Sequence, residues 1–325
     1  MRKINGVPIE ASTDLSELTG GEVFKWSGTG VVLEDQDGTS LIPVAAWVGD
    51  RGVFGGGAIS QNRIEYIDIT STGNAIDFGD LTSGRENIGG LSNGSRGVFG
   101  GGNGANIMDY ITISTLGNAI DFGDLTSDVT YDCMGSCDGS RGLFGSEHPE
   151  NTGNSVDYIT VATTGNATDF GYLSVRRKYA GQLGDSTRAC WGGGQTSTRV
   201  NTIDYVTYST LGNALDFGDL TVAREDNAGL SNLTRGIFSG GETGGTTLDY
   251  ITIATTGNAL DFGDLTVERY ASAVVSSGTR GAFGGGIGTN YFNTIDYITI
   301  DTLGNAIDFG NLLGTQGFGA GLAGN

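Results

Sequence analysis

An arginine opens a short glycine-rich run six times along the chain: RGVFGGG at Arg51, RGVFGGG at Arg96, RGLFGSE at Arg141, RACWGGG at Arg188, RGIFSGG at Arg235 and RGAFGGG at Arg280. The arginines are 45, 45, 47, 47 and 45 residues apart. Each unit continues into an apolar run such as Asp109-Tyr110-Ile111-Thr112-Ile113, and then into GNAIDFGDL or a close variant. A period of this size with several strands per unit marks a propeller or related array, because one unit cannot bury its own faces and stacked neighbours can.

Each unit reads as four strands. In the first, Val53 and Phe54 alternate sides, so a strand buried on both faces is expected, wedged between neighbouring blades. In the next, Tyr110 and Thr112 point one way and Ile111 and Ile113 the other. The pairs Gly73-Asn74, Gly117-Asn118, Gly165-Asn166, Gly212-Asn213, Gly257-Asn258 and Gly304-Asn305 predict a tight hairpin into the following strand, since glycine supplies positive φ. In that strand Ile120 and Phe122 are expected to share the packed face, with Asp121 on the wet one. The remaining segment, AGLSN at 228–232 for example, alternates apolar with very small residues and suits the innermost strand beside a central channel. The expected fold is all-β: a six-bladed propeller of four-stranded blades over 51–325, preceded by a small β appendage.

Residues 317–325 match the innermost-strand pattern with no Arg-Gly-x-Phe after them, whereas the unit at Arg51 has no clear strand of that pattern before it. Closing the first blade with 317–325 removes free sheet edges and is the favoured solution. The competing one uses residues 40–48. Residues 1–50 lie outside the repeat. Short strands are expected at 23–26, 31–34 and 41–44, in a docking arm too small for a core of its own.

The fifth unit carries an early Arg224, a Gly240-Gly241 pair, Tyr250 and Phe262, and Arg85 and Arg269 occupy the same early position. This order resembles the kelch repeat and extends over 51–325. Phe replaces the expected Trp of the last strand, and residues 128–132 contain no early arginine. The resemblance implies a kelch-like propeller and no particular activity, because propellers host many.

With 37 acidic against 17 basic residues, a formal charge of -20 and lysine only at Lys3, Lys25 and Lys178, the chain is unsuited to nucleic acid or anionic lipid, which require clustered cations. Its 59 glycines show no Gly-X-Y period and come with 3 prolines, which excludes collagen. MRKINGVPIEASTD lacks the apolar run of a secretory signal, and no stretch is long enough for a membrane span. An unprocessed, soluble protein is expected. Cys133, Cys137 and Cys190 read as small buried hydrophobes. His148, the single histidine, has no Cys or second His at ligand spacing with which to build a zinc site and reads as an ordinary loop residue. No enzyme activity, cofactor or metal is expected.

Asp-x-Gly-Asp recurs at Asp77/Asp80, Asp121/Asp124, Asp216/Asp219 and Asp261/Asp264, which raises calcium as one reading. The favoured reading pairs Arg51, Arg96, Arg141, Arg188, Arg235 and Arg280 one-to-one with Asp77, Asp121, Asp169, Asp216, Asp261 and Asp308, pinning blade to blade. The third and sixth units keep only the first carboxylate, with Tyr172 and Asn311 in place of the second.

From each repeat arginine to the acidic residue before tyrosine the counts are 14, 13, 16, 16, 14 and 16. From there to the next arginine they are 31, 32, 31, 31 and 31. Length variation therefore falls in one loop per blade, between second and third strands, and those loops share one rim. Loops on a rigid scaffold are where recognition sits, although surface loops also drift freely. Tyr291 is expected to serve as an aromatic platform beside Phe292, Asn290, Asn293 and Gln195, with Arg199 and Arg63 on the same rim.

The DYITI and GNAIDFGDL blocks resemble repeats in tail and other virion proteins of bacteriophages, marine ones especially. That resemblance implies a non-enzymatic structural or recognition protein, assembled in the host cytoplasm into a multimeric particle. Residues 1–50 would contact neighbouring virion proteins, and the rim a host-surface glycan or another subunit. A cytoplasmic kelch-type interaction scaffold is the alternative from a different class, and a glycan-active enzyme is a third.

Overall fold

The computed structural model describes residues 3–4, 7–8, 23–26, 31–34, 49–58, 61–129, 131–147 and 155–325. No helix occurs among them. The chain divides into two compact units, Met1–Val44 and Ala45–Asn325. In the first, Lys3–Ile4 pairs antiparallel with Val7–Pro8 and Val23–Trp26 with Val31–Glu34. The strand expected at 41–44 and the alternative closing strand at 40–48 lie outside the described residues.

The second unit is a six-bladed β-propeller, each blade a four-stranded antiparallel sheet. From inside outward, blade 1 is Ala320–Gly324, Arg51–Gly55, Arg63–Asp68 and Ile76–Asp80, and blade 2 is Gly89–Ser92, Arg96–Gly100, Ala105–Thr112 and Ile120–Val129. Blades 3 to 6 repeat the order from innermost strands Tyr131–Cys137, Gly181–Gly184, Ala228–Ser231 and Ala273–Ser276. The second strand is buried on both sides, with Val53 and Phe54 at 0% exposure. Its glycine is a socket for the next blade: a Cβ on Gly55 would sit 2.8 Å from the Phe99 ring, and one on Gly284 2.9 Å from Phe54. Phenylalanine of one blade thus enters the glycine of its neighbour, and burying each such ring contributes about 2 kcal/mol. Cys133, Cys137 and Cys190 are buried.

Blade 1 is completed by Ala320–Gly324, which runs along Arg51–Gly55 from Ala320 opposite Gly55 to Gly324 opposite Arg51. The inner hairpin is capped here across a long separation. Asn325 Oδ1 accepts the Asp50 N–H at 3.0 Å, the role Asn93 Oδ1 plays for Ser95 N–H at 3.2 Å within blade 2.

Three expectations are corrected. The Gly-Asn pairs do not form the reversal, which is made earlier by Ser71 N–H donating to Asp68 C=O at 3.2 Å. They strap each blade to the preceding one: Gly73 N–H donates to Phe309 C=O at 2.9 Å, Ala75 N–H to Asn311 C=O at 2.8 Å, and Asn74 Oδ1 accepts Asn311 N–H at 3.0 Å. The strap recurs from Gly117 to Ala119 on Phe78 and Asp80. It covers part of the outer strand edge, which would otherwise be left free. Glycine is required beneath it, since a Cβ on Gly310 would lie 2.2 Å from Gly73 O.

Ile120 and Phe122 do not share a face. Asp121 opposes Asp109 and Gly123 opposes Met108, so Phe122 is an extra, bulged residue. The bulge shifts the alternation. Ile120 is 58% exposed while Phe122 is 2% exposed.

The repeat arginines do not reach the repeat aspartates. Arg51 stacks 4.8 Å above the Tyr66 ring and donates from Nη1 to Ile113 C=O of blade 2 at 2.7 Å. Arg96, Arg141, Arg188, Arg235 and Arg280 likewise stack on the tyrosine of their own blade and donate to carbonyls of the next. They pin blade to blade, but through loop carbonyls that need a donor. Asp77, Asp121, Asp169, Asp216, Asp261 and Asp308 are exposed on the outermost strands.

The carboxylates preceding tyrosine are buried, and the early arginines of blades 2, 4, 5 and 6 pair with theirs. Arg177 meets Asp204 at 3.0 Å, Arg224 meets Asp249 at 2.9 Å and Arg269 meets Asp296 at 3.1 Å, and Arg85 contacts Asp109. A hydroxyl completes each set, as where Thr221 Oγ1 donates to Asp249 at 2.6 Å. Burial lowers the pKa of Arg177, Arg224 and Arg269, against the opposing pull of their aspartates. Blade 1 has a variant set: Gln316 takes the early-arginine place and donates to Gly56 C=O at 2.7 Å, and Arg63 pairs with Glu65 at 3.2 Å.

Candidate recognition face

The second strand of a blade ends where the variable loop begins, and the third strand returns from it. These loops therefore share a face with the connections from each outermost strand to the next innermost one. Backbone bridges join the two sets. In blade 4, Lys178 pairs with Gln195 and Gln195 with Arg199; in blade 5, Glu225 pairs with Glu242; in blade 6, Tyr270 pairs with Ile287 and Ile287 with Tyr291. Around the face, a cationic ladder gives way to an acidic rung and then to an aromatic one. The loop 148–154, with His148, lies outside the described residues.

Five of these connections place a residue in the left-handed region: Asn87, Tyr179, Asp226, Ala271 and Phe318, with φ of 60°, 60°, 54°, 53° and 58°. Side chains rarely adopt this conformation, and each such residue costs about 1–3 kcal/mol. Hydrogen bonds hold them as an arc around the inner strands: Asn87 N–H to Phe318 C=O, Phe318 N–H to Ala271 C=O, Ala271 N–H to Asp226 C=O and Asp226 N–H to Tyr179 C=O, at 2.8 to 2.9 Å. The channel inside the arc is narrow, about 130 Å³. A Cβ on Gly135 would lie 2.5 Å from Gly90 O and one on Gly229 2.5 Å from Gln182 O, which explains the very small residues of the innermost strands.

The sequence-derived rim residues occupy different situations. Tyr291 is 40% exposed and Asn290 is exposed beside it, while Asn293 is half-buried in the third strand. The Phe292 ring lies 5.6 Å from the Arg269 guanidinium, half-buried against the blade. Arg199 spans blades 4 and 5, pairing with Glu225 at 2.9 Å and contacting Glu242, and Arg63 is held by Glu65. Both cations are thus committed within the protein. Gln195 lies on the blade 4 ladder, on the other side of the acidic rung from Tyr291.

Sequence reasoning missed Lys178, Glu225, Asp226, Glu242 and Tyr270. Lys178, Glu225, Asp226 and Tyr270 sit in connections of nearly constant length, so variation could not mark them, and φ is not legible at non-glycine positions; Glu242 lies in the blade 5 variable loop, where its bridge to Glu225 is a tertiary contact. Burial, followed by the Glu225 and Glu242 carboxylates, pushes the Asp226 carboxyl up to about 7 against the opposing pull of Lys178 and Arg199. Burial and the carboxylates of Glu242 and Asp226 push the Tyr270 phenol up. A carboxyl raised in the folded state contributes stability at low pH that is lost as pH rises from about 4 through about 7. Asp226→Asn is therefore expected to be more stable than the parent at pH 8, by on the order of 2 kcal/mol, and equal to it at pH 4. Urea denaturation at the two pH values checks this, and a gap that does not change with pH refutes it.

Among the described residues no three His, Cys, Asp or Glu side chains cluster as a metal site. With its arginines paired and its carboxylates in excess, the face is chemically suited to neutral hydroxyl-rich or cationic groups more than to anions. The chain matches no family model and no curated protein.

Proposed function

We propose that this protein is a non-enzymatic recognition and assembly module, a kelch-like propeller related to repeat proteins of bacteriophage virions, with residues 1–50 as the anchor to neighbouring virion proteins. The observation that carries the reading is the exposed Tyr291 at the end of the Tyr270-Ile287-Tyr291 ladder, with Asn290 exposed next to it. A flat ring held by a backbone bridge and flanked by an amide suits a sugar ring, which offers an apolar face and hydroxyl edges. The length-variable loops and the rigid ring beneath them also support recognition on this side. The kelch-like relationship rests on the early arginines, the glycine pairs and the tyrosine, and the last-strand phenylalanine stands where that repeat has tryptophan.

Tyr291→Ala is expected to reduce attachment to host cells, or binding on a glycan array, by about tenfold, the loss expected when one main contact is worth about 1.4 kcal/mol. Its melting temperature should stay unchanged because the side chain is exposed. Undiminished binding moves recognition away from this face, and absence of any binding by the parent leaves a structural building block or an interaction scaffold.

A further inference from the structure

A second pocket opens on the opposite face, where the third strand of blade 1 turns toward the outermost one. It measures about 590 Å³ and is lined by Asp50, Arg51, Tyr66, Asp68, Thr72 and Asn74, among others. That volume lies in the range of small-molecule sites.

The lining groups are partly committed. Arg51 is stacked on Tyr66 and donates to Ile113 C=O. Asn74 Oδ1 accepts a backbone N–H from blade 6, which turns its amide nitrogen out as a donor. Asp68 Oδ1 accepts from Thr70 Oγ1 at 2.6 Å, leaving its second oxygen as an acceptor. Asp50 and Thr72 are exposed, and Ile76, 55% exposed, supplies an apolar wall. Two carboxylates against one occupied guanidinium disfavour phosphate and carboxylate ligands. Carboxylate, hydroxyl and amide groups beside apolar surface are suited to neighbouring hydroxyls.

The repeat supplies its own comparison. Where blade 1 has Thr72, blades 2, 4 and 6 have Leu116, Leu211 and Leu303, each a little over half exposed at 53%, 55% and 54%. Where blade 1 has Asp50, the other blades have Ser95, Ser140, Thr187, Thr234 and Thr279. Blade 1 alone joins a small hydroxyl residue to a carboxylate here.

We infer that this blade 1 pocket binds a neutral saccharide, independently of the Tyr291 face. Two fold-safe variants follow, because other blades already carry the substituted residues: Thr72→Leu fills the pocket and Asp50→Ser removes its carboxylate. Saturation-transfer NMR on the full chain, with neutral di- and trisaccharides of glucose, galactose, mannose and N-acetylglucosamine, is the test. The parent and Tyr291→Ala should bind at least one of these sugars within twofold of each other, and Thr72→Leu and Asp50→Ser at least tenfold more weakly. The inference is overturned by absence of transfer to every sugar, by undiminished binding in both pocket variants, or by preference for sialyllactose over lactose. Loss of binding in Tyr291→Ala alone also overturns it and assigns the sugar to the other face.

Discussion

Removal of residues 317–325 is expected to abolish the cooperative thermal transition and drive the protein into aggregates. The deleted segment takes with it the innermost strand of blade 1 and hence the ladder along Arg51–Gly55. It also removes Leu322 and Ala320 from the core between blades 1 and 2, and Ala323 from the core between blades 6 and 1. Ser92 of blade 2, whose hydroxyl donates to Ala323 C=O of the adjacent blade 1, loses its acceptor. Four or five ladder bonds at about 1 kcal/mol each and one buried leucine at about 2 kcal/mol amount to a large share of the roughly 5–15 kcal/mol that holds a domain together. The exposed edge of Arg51–Gly55 would in addition template intermolecular pairing. Circular dichroism melts with size-exclusion chromatography decide the matter: a monomeric truncation melting within a few degrees of the parent shows that closure contributes little.

Asp249→Ala is expected to destabilise the propeller by about 3–5 kcal/mol, because it leaves the Arg224 guanidinium buried and without its carboxylate. Both side chains are 0% exposed, so water cannot take the partner's place. Thr221, which donates both its hydroxyl and its N–H to Asp249, loses its acceptor at the same time. Asp216→Ala, in the same repeat but on the exposed outermost strand, should change stability by no more than about 0.5 kcal/mol. Urea midpoints for the two variants separate the two possible carboxylate networks. Equal losses would mean that the outer aspartates bear load after all. Replacing Arg224 and Asp249 together by Met and Leu should cost less than Asp249→Ala alone, since no charge is then stranded.

Both arguments turn on which carboxylate an arginine meets, and this was only partly legible. The fifth blade, residues 224–264, contains two arginines and six acidic residues, and one-to-one counting of the repeated pairs favoured the wrong one. Asp249 precedes a tyrosine inside an apolar run and Asp216 follows a Gly-Asn pair, which does not reveal which of them the blade buries. The bulge at Phe217, where one unpaired residue shifts the alternation of the outer strand, leaves Leu215 exposed beside the exposed Asp216. The site was legible to a similar degree. Loop-length variation singled out one face and Tyr291, but the acidic rung of Glu225 and Glu242, the raised Asp226 and the pocket at Asp50 and Thr72 arise where loop segments of one blade fold against each other, which no spacing within the repeat announces.

By itself the sequence determined the all-β class, six units of four strands, the doubly buried second strand at Val53 and Phe54 and the small-residue innermost strand, because each depends on side-chain alternation and spacing within one repeat. Tertiary structure alone decided that Gly73-Asn74 grips Phe309 and Asn311, that Arg51 binds a carbonyl of blade 2, and that Asn87, Tyr179, Asp226, Ala271 and Phe318 take left-handed backbone around the channel. Those partners belong to different blades. Their pairing is set by how one twisted sheet packs on the next, a relation that no local pattern encodes.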